Sequence, residues 1–192
     1  LMFFTQIVAL PFYLNMIKKK SKAFVYRFGS FIWIISALAI LFIPANSAPW
    51  IIYILAVVMG FGISAPGLIP HTMFGDVADA GQLKFKRRLE GQMSGFTNFI
   101  NQIAQALGLS FVMFILGLAA FQEQDLTLPT ITSQPDSALL AIRIVMALSP
   151  LIFLGVGTLI SYSYKIDAKR QGQMKAIIDA GNFDEAEVKT LL

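Results

Sequence analysis

Cysteine is absent from the 192-residue chain. That excludes a disulfide framework, a thiol nucleophile and any cysteine-ligated metal site, and leaves the redox compartment open. Histidine occurs once, at position 71. No Ser/His/Asp set shares a face, no glycine-rich loop is placed to cradle phosphate, and no ligand spacing suits a metal. An enzyme reading therefore finds little support. Charge is also scarce, with 14% of residues Asp, Glu, Lys or Arg against about 25% in soluble globular chains. The isoelectric point near 9.4 is no sign of a nucleic-acid partner, because the basic residues fall in short runs beside apolar segments and read as topology signals. Strand-like alternation is missing too, which excludes a β-barrel.

What fills the chain is apolar: 56% of residues are hydrophobic and the mean hydropathy is +0.69. A bilayer core about 30 Å thick needs roughly 20 helical residues, and helices satisfy their own backbone there. Five apolar segments meet that pattern, at about 1–17, 28–44, 50–70, 91–121 and 138–164. The expected fold is an all-α polytopic membrane protein with five transmembrane helices over 1–164. A polar tail with short amphipathic helical stretches follows at 165–192. The opening stretch LMFFTQIVALPFYLNMI has no basic region before it and no small-residue cleavage site after it. It reads as a spanning helix cut short.

The loops give an orientation. Lys18, Lys19, Lys20, Lys22 and Arg27 lie in the first loop, and Lys84, Lys86, Arg87 and Arg88 in the third. Lys165, Lys169, Arg170, Lys175 and Lys189 lie in the tail. Fourteen of the fifteen basic residues thus fall on one alternating side. The positive-inside rule makes that side, with the tail, cytoplasmic; a plasma (inner) membrane location is expected. The fourth loop carries Glu123, Asp125 and Asp136 without a basic residue.

The fourth span carries the most polar pattern. At about 100° per residue, Ser94, Asn98, Asn101, Gln102 and Gln105 share an arc of roughly 100°, with Phe96, Phe99, Ile100, Ile103, Leu107 and Phe111 opposite. Such a stripe is too costly to face lipid. It lines a hydrated cavity for a hydroxyl-rich solute, or it bonds between packed helices. The third span is punctuated by Gly60, Gly62, Pro66, Gly67 and Pro70, as in a moving helix or a tightly packed static one. His71 suits a proton relay or an interfacial position. Arg143 suits substrate binding, a carboxylate partner or snorkelling to the interface. No Asp or Glu lies deep in a span, so a coupling cation is not expected to bind within these five.

Residues 75–91 read GDVADAGQLKFKRRLEG. This resembles the loop after the tenth helix in the glycoside–pentoside–hexuronide:cation symporters of the major facilitator superfamily, roughly D-V-x-D-Y-G-E-x-K-T-G-x-R-x-E-G. Asp76, Asp79, Gly81, Lys84, Arg88, Glu90 and Gly91 match in register, and the resemblance covers essentially the whole chain. It implies the carboxy-terminal bundle of a major facilitator fold, with the five spans as helices eight to twelve. It further implies sugar:cation symport by alternating access, with Asp76, Asp79, Lys84, Arg88 and Glu90 at a cytoplasmic gate; without the resemblance they read as topogenic, solvated charges. The implied partners are a small solute such as a sugar, the bilayer and the amino-terminal half of the transporter. No tightly bound cofactor is expected, and the Na⁺ or H⁺ coupling site is expected in that other half. The sequence departs from the pattern at Ala80, Gln82, Phe85 and Lys86. Gln102 stands where the family commonly has a lysine, twelve residues beyond the glutamate. A lipid or other organic-solute symporter, and a non-transporting membrane scaffold, are the alternatives.

Overall fold

The computed structural model describes residues 1–44, 47–122, 134–164 and 166–181. Among them the chain is helical with no strand: α1 (Met2–Lys19), α2 (Lys22–Ala39, continued by a 3₁₀ turn Ile40–Phe42), α3 (Pro49–Phe85), α4 (Glu90–Leu118), α5 (Asp136–Ser161) and α6 (Ala168–Ala180). Glu123, Asp125, Lys165, Lys189 and the end of the tail lie outside the described residues.

Four of these helices are long and apolar enough to cross a membrane on their own: Lys22–Phe42, Pro49–Phe85, Glu90–Leu118 and Asp136–Ser161; the fifth apolar segment, read from sequence as a span cut short, is α1. α1 has 18 residues and closes on Lys18 and Lys19, so its apolar part falls short of the roughly 20 residues a span requires. α2 starts six residues before the expected 28 because Ser21 caps it, its hydroxyl accepting from the Phe24 amide at 3.2 Å. The largest departure is in α3, expected to stop near Pro70. It runs 37 residues to Phe85, about 55 Å and far beyond a 30 Å core. After Pro70 no proline interrupts the chain, and Ala78 and Leu83 are buried, which gives the extension an inward face. The chain turns only at Lys86–Leu89, where Lys86 takes a left-handed conformation.

α3 is the central element. It packs on α1 and α2, α2 packs on α5, and α6 lies against α3. The core gathers Ala9 and Tyr13 of α1, Val25 of α2, and Ala65 and Ile69 of α3. Its small residues serve close packing. A methyl added at Gly62 would sit 2.7 Å from the Trp33 backbone nitrogen, and one at Gly60 would run into the Met2 carbonyl. Helices approaching this closely need glycine or alanine at the contact. Ser64 donates to the Gln6 carbonyl at 3.1 Å and Tyr13 to the Phe61 carbonyl at 3.1 Å. The glycine-rich part of α3 is thus a packed seam between α1 and α2.

Candidate functional site

At one end of the bundle the start of α2, the extension of α3, the segment after α5 and helix α6 converge on a single carboxylate. Asp76 is 1% exposed, and a buried charge is tolerated only when paired and hydrogen-bonded. Lys22 donates to both of its oxygens, at 2.8 and 2.7 Å, and also to the Thr72 carbonyl at 3.1 Å. The Tyr164 hydroxyl and the Gln171 amide donate to it as well. Burial, then the bond to Asp76 and its negative charge, push the Tyr164 phenol well above its ordinary value of 10.0. Asp76 is therefore neither a loop residue nor a solvated charge. It ties four segments of the chain together.

The other residues of the motif separate. Asp79 lies on α3 and Glu90 opens α4; together with Ser94, Gln171 and Lys175 they border a cleft of about 390 Å³ next to Asp76. Lys84 and Arg88 are exposed; Lys84 lies on the last turn of α3 and its ammonium stands 5.7 Å from the Phe85 ring. The structure thus brings Asp76, Asp79 and Glu90 to one place and leaves Lys84 and Arg88 outside it. Lys22, Tyr164 and Gln171 were not singled out from sequence. Lys22 looks like any other lysine of a basic run, and its partner is 54 residues away.

Helix α4 presents the polar stripe. Ser94, Asn98, Asn101, Gln102 and Gln105 are all exposed, and so are the apolar residues opposite. No residue of α4 is buried, and it touches chiefly α5. Among the described residues, the five side chains are therefore not occupied in bonds between helices. Beside them, Met93 and Thr97 of α4 face Met73, Phe74 and Val77 of α3 and Ile160 of α5 across an apolar cleft of about 410 Å³. His71 is exposed on α3. Arg143 is at the opposite end of the molecule, with Met2 and Ile43. No group of three or more His, Asp or Glu among the described residues could hold a metal ion.

Long apolar helices around a central glycine-rich one, with the basic segments gathered at one end, define an integral, polytopic helical membrane protein. The family model described as MFS/sugar transport protein matches residues 1–168, and the chain belongs to that family. It is 35% identical over 145 residues to an uncharacterized symporter of Synechocystis sp., a match covering 76% of this chain and 26% of the relative. It is 28% identical over 165 residues to the sodium-dependent lysophosphatidylcholine symporter 1 of Mus musculus, covering 82% and 30%. The human counterpart is 27% identical over 165 residues, covering 82% and 29%. The chain thus spans between a quarter and a third of the length of these relatives.

Proposed function

We propose that the chain forms the carboxy-terminal bundle of a secondary active transporter that moves a sugar or glycoside with Na⁺ or H⁺ by alternating access. One observation carries the reading. Ser94, Asn98, Asn101, Gln102 and Gln105 form a continuous row of donors and acceptors on α4 that no other described helix covers. In a bilayer such a row needs water, a solute or another polar surface. Facing a second bundle, it supplies one wall of a hydrated cavity, and amides suit hydroxyl-rich solutes. The basic end then faces the cytoplasm, the coupling cation binds in the other half, and Asp79 and Glu90 face the inner mouth.

A lysolipid or similar amphiphile is the second reading. It is favoured by the apolar cleft beside the stripe, where Phe74, Met93 and Ile160 suit an acyl chain, and by the substrate in the names of two of the relatives. Uptake by the full-length transporter in vesicles separates the two. Labelled sugars and labelled lysophosphatidylcholine are offered with and without an imposed Na⁺ or H⁺ gradient, to wild type, Asn98→Ala and Gln102→Ala. Gradient-driven sugar uptake lost in both variants at unchanged expression supports the first reading; the same pattern with lysolipid supports the second. Uptake of neither, under any gradient, refutes both readings.

A further inference from the structure

Arg143 is the one basic residue outside the three basic segments. It is the eighth residue of α5, which begins at Asp136 and runs 26 residues, so it stands about 10 Å along a helix about 39 Å long. Centred on a 30 Å hydrocarbon core, that depth puts its Cα roughly 6 Å inside the apolar layer. The side chain is half-buried. It lines a cleft of about 380 Å³ whose other walls include Met2 of α1, Ile43 beyond α2, Leu55 and Met59 of α3, and Met146 of α5. Among the described residues no acceptor or ring meets the guanidinium. A permanent cation inside an apolar layer is costly unless an anion or a set of acceptors pairs with it.

We propose that this cleft is a binding site for an anionic phospholipid, its phosphate on Arg143 and one acyl chain along the methionine and aliphatic walls. The guanidinium fork matches phosphate oxygens in a bidentate pair, and the arginine sits within snorkelling reach of the headgroup layer. The walls complement a hydrocarbon chain rather than a soluble anion. Ile52, on the same cleft, is 55% exposed and Met146 49%, so no described helix of this chain closes the groove. A lipid bound here would bridge α1, α3 and α5 at the end opposite Asp76. The site is independent of the solute transported.

The test uses the full-length protein purified in detergent, with phosphatidylglycerol, phosphatidylcholine and inorganic phosphate as probes. Retained lipid is read by native mass spectrometry, with the helical spectrum and elution profile as folding checks. Wild type is expected to retain phosphatidylglycerol over phosphatidylcholine. Arg143→Gln should bind phosphatidylglycerol about tenfold more weakly, equivalent to about 1.4 kcal/mol, and Arg143→Lys should fall between. Ala56→Trp, which fills the cleft and keeps the arginine, should also lose the lipid, and it carries the test if Arg143→Gln does not fold. Equal retention by wild type and Arg143→Gln overturns the proposal. So does no preference for phosphatidylglycerol, displacement by phosphate alone, or wild type retaining no lipid because the cleft is covered by protein.

Discussion

Asp76 offers the sharpest test of how this bundle is held together. The carboxylate is 1% exposed and Lys22 is 16% exposed, so the pair is desolvated mainly on the acidic side. Removing one partner of a buried pair costs about 3–5 kcal/mol because the other charge stays buried alone. The asymmetry ranks the two single changes. Lys22→Met strands a carboxylate with only the neutral donors Tyr164 and Gln171, so the cost should reach the upper part of that range. Asp76→Leu strands a lysine that water already reaches, and the cost should lie near the lower end, about 3 kcal/mol. The double variant Lys22→Met/Asp76→Leu leaves no uncompensated charge and should recover much of the loss, a coupling of at least about 1 kcal/mol in a double-mutant cycle. Denaturant unfolding of the full-length protein in detergent gives the energies. Hydrogen exchange over residues 168–181 reports whether α6 stays docked. If both single variants fall within about 0.5 kcal/mol of wild type, as at an ordinary surface site, the pair is solvated and the anchoring argument fails.

Other outcomes follow from the same geometry. Tyr164→Phe removes one hydrogen bond to a charged acceptor and should cost about 1.5–3 kcal/mol in the same unfolding assay. The phenol titrates higher in the folded state than the unfolded value of 10.0, so the stability it contributes is complete below pH 10 and declines as pH rises through the folded value. The Tyr164→Phe variant should lack that part of the alkaline loss in a pH series. Gly62→Ala drives a methyl to 2.7 Å from the Trp33 nitrogen and should cost about 1–3 kcal/mol by overpacking. Gly75→Ala meets nothing within 4 Å and should be neutral or gain up to about 1 kcal/mol. Gln171→Ala should raise hydrogen exchange in α6 while leaving α2 and α3 protected.

Much of the architecture was legible along the chain because its cause is local. Long apolar runs between charged segments have no low-energy state in a bilayer other than helices, so α2 to α5 and the helical tail could be placed to within several residues at most ends. The stripe on α4 was legible for the same reason, since helical periodicity alone fixes which residues share a face. The exceptions have physical causes. α1 ends two residues beyond the expected 17, its last turn carrying Lys18 and Lys19. The extension of α3 was taken for a loop because Gly75, Gly81 and the charges resemble one. It remains a helix through its buried face and the packing of α6.

The sequence by itself determined the solvent this protein occupies, the helix order and the segregation of basic residues. Each of these depends on composition and on spacing within one segment. Only the tertiary structure decided that Gly60 and Gly62 of α3 form a packing seam, that Asp76 is buried while Lys84 and Arg88 stay outside, and that Lys22, Tyr164 and Gln171 are its partners. It also decided that the α4 amides are left unoccupied by the other described helices. These are relations between residues tens of positions apart, and burial and pairing arise only when the helices pack.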